Sequence, residues 1–89
     1  MRARRLPVVD EYAEDGRVAV FTEQGMVIVL SELATVAWSV LGDAWTPADD
    51  LADTLVAEFG TPADDSALSL TEQTLRRLAQ HALVELDGA

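Results

Sequence analysis

The side chains that chemistry usually needs are scarce in this sequence. It has one histidine, His81, and neither cysteine nor lysine, so no nucleophile–base pair and no clustered set of metal ligands can be assembled from it. The paired carboxylates Asp49-Asp50 and Asp64-Asp65 could hold a cation. The first pair, however, falls where a helix would start and the second in a polar loop, and both positions favour acids without a metal. An enzyme is not expected, and neither is a cofactor or a metal. What the chain offers instead is backbone. Met26, Val27, Ile28, Val29 and Leu30 are consecutive apolar residues, too few for a buried helix and rich in strand formers. No lysine, proline or inward charge discourages pairing along them, so an extended peptide could add there as a further strand. The alternative is a central strand sealed on both flanks, and periodicity alone does not separate the two.

A strand at residues 26–30 has to be held by its neighbours. Ser31 follows at once, and its hydroxyl suits a helix N-cap. Leu33, Val36, Ala37, Val40 and Leu41 then recur at helical spacing and predict a first helix over residues 32–41, stopping near Gly42. Upstream, Asp15-Gly16 and Glu23-Gln24-Gly25 read as tight turns. Between them Val18 and Val20 alternate with Ala19 and Phe21, the mark of a strand with two distinct faces. Residues 4–9 are the expected first strand, with Pro7 at an edge. Three strands on two hairpins form an antiparallel meander that needs a cover on one face.

The second half of the chain supplies that cover. Thr46-Pro47 reads as the cap and first residue of a second helix, with Leu51, Leu55, Val56 and Phe59 as its stripe and Gly60 as a left-handed stop. After a polar connector over residues 61–67, Ser69-Leu70-Thr71-Glu72 has the form of a capping box. The third helix carries Leu75, Leu78, Ala79 and Ala82 inward and ends in Leu83-Val84-Glu85-Leu86. Trp38 reads as a core anchor and Trp45 as a staple at the start of the second helix. The expected class is α+β and winged-helix-like: a three-stranded antiparallel sheet followed by a three-helix bundle. It makes one domain over residues 1–89, with residues 1–5 as a basic arm.

Charge narrows the partners. The net charge is −10, and all six positive charges are arginines: three within residues 1–5, then Arg17, Arg76 and Arg77. A net-negative domain repels phosphate backbones, so nucleic acid is not the expected partner. The second helix, connector and third helix could still form a helix-turn-helix with Arg76 and Arg77 on phosphates. A small winged-helix DNA-binding regulator is therefore the alternative, although the connector is acidic and no basic stripe reaches the third helix's first turn. No apolar run nears the roughly 18–20 residues of a membrane span, and only residues 6–9 follow the basic start. That is no secretion signal, and a cytoplasmic location is expected with no membrane partner.

The order of these features resembles the PqqD-like family, the small winged-helix domains that act as RiPP recognition elements. Val29-Leu30-Ser31, Ala34 and Ala37-Trp38 match the family's strand-to-helix joint. Thr46-Pro47 and Phe59-Gly60 match the two ends of its second helix, and Leu75, Leu78 and Ala82-Leu83-Val84 match its leucine-rich third helix and the step that ends it. The likeness covers residues 8–86. Val27-Ile28 stand where many members carry an aromatic pair, Ser31 where they carry asparagine, and Ala82 where glycine is usual.

The resemblance implies a non-catalytic protein that holds the leader of a ribosomally made precursor peptide between the third strand and the third helix. It further implies delivery to a maturase, such as a leader peptidase or a radical enzyme, in lasso-peptide or radical-enzyme systems. On that basis Met26, Val27, Ile28, Val29 and Leu30 are expected to pair with the leader. Thr74, Leu75, Arg77, Leu78 and His81 are expected to form the opposite wall, and the flank of the helix that faces the groove is left open. Arg77 or Arg76 would meet an acidic leader residue, Ile28→Pro would remove a strand donor, and the same exposed edge leaves a homodimer open.

Overall fold

Two glycine turns set the register of the sheet. Asp15 and Gly16 have φ of 54° and 77°, and Gly25 has φ of 84°, left-handed values that these residue types tolerate in tight turns. The computed structural model describes residues 1–63 and 65–88. Its elements are β1 (Arg2–Arg5), β2 (Asp10–Glu14), β3 (Arg17–Phe21), β4 (Val27–Val29), α1 (Glu32–Val40), β5 (Thr46–Pro47), α2 (Ala48–Phe59), α3 (Ala67–Gln80) and β6 (Val84–Asp87). Strands β2, β3 and β4 form the expected antiparallel meander, and the three helices follow it. Val18 and Val20 turn inward onto Leu30, Trp38, Leu51, Leu75 and Leu78 in a single core cluster.

The meander's first strand is β2, not residues 4–9. Its sequence is polar and every residue in it is exposed, so no apolar alternation announces it. It is held instead by the turn and by pairing from Asp10↔Phe21 to Glu14↔Arg17. Residues 1–5 are likewise not an arm. They contribute β1, the centre of a second antiparallel sheet ordered β5-β1-β6, and Ala3 within them is fully buried.

The reason is charge pairing across the strands. Arg2 stands opposite Asp87 and Arg4 opposite Glu85, and both arginines bond those carboxylates, Arg4 at 2.8 and 3.1 Å. The Arg2 guanidinium, bonded to Asp87 and adding its charge, holds that carboxyl below its ordinary value of 3.8. Its small contribution is complete above that pH and is lost as the pH falls through the lowered folded value. Trp45 lies beneath Arg2 and Arg4, 5.2 and 4.5 Å from ring centroid to guanidinium carbon, so it braces β1 more than it staples α2.

Helix ends and caps differ from the sequence reading at several places. Thr46-Pro47 is strand β5, paired with β1; Pro47 precedes α2 without a side-chain cap, and the Ala48 N–H is taken by the Met1 carbonyl at 2.9 Å. The N-cap of α3 is Ser66, which accepts from the Ser69 N–H at 3.0 Å, so the capping box begun at Ser69 lies inside the helix. Gly60 has the positive φ of 86°, but its ψ of 174° is extended, not left-handed helical. On α1, Trp38 is buried as expected while Val40 is 42% exposed.

The third helix stops at Gln80, and the chain after it is strand β6. The Ala82 N–H bonds the Ala79 carbonyl and the Leu83 N–H bonds the Leu78 carbonyl, both at 3.0 Å. This is a Schellman stop, with Ala82 at the position where glycine is favoured. Its φ is 58°, which crowds a Cβ. Ala82→Gly is therefore expected to stabilise the fold by about 0.5–1 kcal/mol. A thermal melt checks it, with a rise of about 2–8 °C; an unchanged or lower midpoint would mean that the alanine is unstrained.

Candidate functional site

The candidate site begins with the direction of backbone groups along β4. The Thr22 N–H bonds the Met26 carbonyl at 2.9 Å, and the Leu30 N–H bonds the Val18 carbonyl at 2.8 Å. Between them Phe21↔Val27, Val20↔Ile28 and Ala19↔Val29 are opposed. Antiparallel pairs alternate between bonded and non-bonded, so Ile28 shares the bonded set with Met26 and Leu30. Val27 and Val29 then aim their N–H and C=O groups away from β3. Among the described residues no strand takes them, and β4 is the edge of its sheet.

Beside that edge runs a trough of about 230 Å³ between β4, the start of α1 and the second half of α3. Ser31 caps α1 by accepting from the Ala34 N–H at 3.1 Å, which turns the chain straight from strand to helix and makes Leu33 and Ala34 one end of the trough. The floor is apolar: Leu30 and Leu78 are 4% and 3% exposed, and Ile28 is half-buried beside them. Arg77 and His81 stand exposed along the α3 rim. Among the described residues no acid pairs with Arg77 or Arg76.

The ten residues singled out from the sequence separate by position. Ile28, Val29, Leu30, Thr74, Arg77, Leu78 and His81 line the trough together. Met26 is exposed at its far end, where Gln80, His81 and Ala82 meet the β3–β4 turn. Val27 lies on the edge with its side chain exposed on the outer face of the sheet. Thr74 lines the wall while its hydroxyl donates to the Leu70 carbonyl at 3.0 Å.

Leu75 does not belong with them. It has no exposed surface and sits in the core, one step round the helix from the trough face. Arg76 is exposed but does not line the trough. Sequence reasoning missed Ser31, Leu33 and Ala34 as lining residues. The signal was there in the absence of any loop between strand and helix, which leaves the first turn of α1 beside the strand's end.

Among the described residues no three histidine, aspartate or glutamate side chains gather as metal ligands. Asp64, of the second carboxylate pair, lies outside those residues. Among them, too, no helix is long and apolar enough to cross a membrane. Every buried side-chain polar atom described has a partner. The arrangement is suited to holding an extended chain: an unpaired ladder on one side, an apolar floor, and a cationic rim.

No protein-family model matches the chain, and no curated protein matches it. Among solved structures, TbiB1 in complex with the TbiA(beta) leader peptide is similar in fold. The TM-score is 0.73 over 97% of this chain and 99% of that one, at 19% sequence identity. An antiparallel three-stranded sheet followed by three helices, shared over almost the full length, gives this chain the PqqD-like fold that its sequence resembles.

Proposed function

We propose that the chain is a RiPP recognition element, a non-catalytic adaptor. It binds the leader of a ribosomally made precursor by strand addition to β4 and delivers it to a modifying enzyme or a leader protease. The observation that carries this reading is the unclaimed flank at Val27 and Val29, beside a trough walled by α3. Support comes from the fold shared with a protein solved with a leader peptide in place. The bound segment pairs through the outward groups of Val27 and Val29. Alternate side chains drop onto Ile28, Leu30 and Leu78, and an acidic residue meets Arg77. The adaptor works in the cytoplasm, where precursors are made, and its maturase is a leader peptidase or a radical enzyme, as in lasso-peptide systems.

Magnitudes suit a partner that must later be released. Four backbone bonds at about 0.5–1.5 kcal/mol each and two anchored side chains at about 1.5–3 kcal/mol each give a gross gain near 5–12 kcal/mol. Ordering a disordered leader removes roughly 2–5 kcal/mol, and association removes more. The surplus is small, so binding is weak and reversible.

Titration calorimetry with the precursor encoded beside this chain tests the reading. The expected result is saturable one-to-one binding that shifts the amide signals of Val27 and Val29. Absence of both heat and shifts would defeat it. Nothing in the structure favours the DNA-binding alternative. Arg2, Arg4 and Arg5 are paired with Asp87, Glu85 and Glu11, and Arg17 donates to the Leu30 carbonyl. That alternative predicts affinity for duplex DNA that falls steeply with salt and with Arg76→Ala and Arg77→Ala.

A further inference from the structure

Past the end of β4 the trough adjoins a second hollow. Its wall at Leu33 is shared with a second cleft of about 200 Å³, formed by Val56 and Phe59 of α2, Pro62 of the connector, and Ala67 and Leu70 of α3. The two hollows lie end to end along one helix face. Ala67, Leu70, Thr74, Arg77 and His81 follow one another at intervals of three and four residues, the spacing that puts side chains in a row. At the cleft's base Leu55 is 5% exposed and Thr71 2%, and the Thr71 hydroxyl is already bonded to the Ala67 carbonyl at 2.7 Å. Among the described residues no buried polar group waits for a partner there. At its rim Phe59 is 46% exposed, a large apolar side chain held out toward solvent at the end of its helix.

We infer that this cleft is a second anchor for the peptide that pairs with β4, taking one apolar side chain between leucine and phenylalanine in size. The inference rests on the adaptor reading above and adds a determinant of which leader is recognised. A cavity of about 150 Å³ lined by similar side chains admits benzene, so the volume suits one ring or one branched aliphatic chain. The lining is mainly apolar and favours an apolar side chain over a charged one, which would lose water there.

The helix gives the spacing. The trough centres on Arg77 and Leu78 and the cleft on Leu70, about eight residues apart, or roughly 12 Å at 1.5 Å per residue. An extended peptide covers that in about four residues. The anchored residue therefore lies about four positions from the middle of the strand-paired segment, on the side that leaves β4 at Leu30. β4 and α3 run in opposite directions, since Met26 adjoins Gln80 and His81 while Leu30 shares its hollow with Thr74.

The test is a nitrogen-15 amide titration of the full chain with a synthetic peptide spanning the leader of the precursor encoded beside it, repeated for Phe59→Ser and Ala67→Phe. The expected result is shifts at Val56, Phe59, Gly60 and Leu70 together with those at Val27 and Val29. Each variant should weaken binding about tenfold to a hundredfold with an unaltered circular dichroism spectrum. Changing the leader's own anchor residue to alanine should cost the same factor against the wild type and little against Ala67→Phe.

Shifts confined to β4 and the second half of α3, with both variants binding as the wild type does, would overturn the anchor and leave the adaptor standing. No shift anywhere would remove both. Cleft signals that move with protein concentration before peptide is added, and not with the peptide, would assign the cleft to a second copy and overturn the anchor.

Discussion

Val29→Pro is expected to abolish or nearly abolish leader binding while the protein stays folded. The N–H of Val29 points out of the sheet, away from β3, because the bonded pairs on that ladder are those of Met26, Ile28 and Leu30. Proline on an open edge breaks no bond within the sheet. It does remove a donor from the guest strand and puts a ring where the guest's carbonyl would approach. The lost bond is worth about 0.5–1.5 kcal/mol, and the guest carbonyl left unmet costs about 1–3 kcal/mol more. Together these weaken affinity by about 10- to 2000-fold.

Ile28→Pro, the substitution that the sequence singles out, is the wrong probe. It strikes the side of the strand that faces Val20 and would damage the sheet itself. The two substitutions thus form a pair: Val29→Pro should lose peptide and keep its thermal midpoint, and Ile28→Pro should lose both. Unimpaired binding by a folded Val29→Pro protein would mean that the guest does not use this edge.

How much of this could be read from residues alone depends on what kind of signal each element carries. β3, β4, α1 and α2 announce themselves through apolar periodicity, and Ser31 and Gly25 punctuate them as their chemistry predicts. β2 is invisible because DEYAE carries no apolar alternation and buries nothing. β1 and β6 are invisible for another reason. They sit at opposite ends of the chain, and what joins them is a register of arginines against acids, Arg2 with Asp87 and Arg4 with Glu85, that no local window contains. Arg5 belongs to the same category. Its guanidinium bonds the Trp38 carbonyl and lies 4.1 Å from that ring's centroid, while Glu11 receives the Trp38 indole N–H at 2.7 Å.

The trough is legible in part for related reasons. Periodicity marks the apolar residues of α3 but not which flank faces β4, since Leu75 and Leu78 are equally apolar and three residues apart. Only the packing of α3 against α2 and β6 turns Leu75 into the core and Leu78 toward the guest's side. The start of α1 enters the site through geometry, because a strand that runs into a helix without a loop must carry that helix's first turn alongside it.

The difference between those two leucines yields the second large effect. Leu75→Ala is expected to cost about 2–5 kcal/mol of stability, the transfer term for its lost carbons plus that of the cavity left in the core. That is a large share of the roughly 5–15 kcal/mol that holds a small domain together. In urea the midpoint should fall sharply with an unchanged slope. Below the transition, however, the surviving folded molecules present an intact trough, since Leu75 reaches no part of it. Apparent affinity drops only by the folded fraction, less than about twofold while most of the protein is native.

Leu78→Ala removes side-chain volume from both core and trough floor, so it should lower the midpoint and, separately, weaken the peptide severalfold at full folding. If Leu75→Ala were to reduce affinity as much as Leu78→Ala under conditions where both are folded, the guest would have to reach the inner face of α3. The placement of the groove on the Thr74–Arg77–His81 flank would then be wrong.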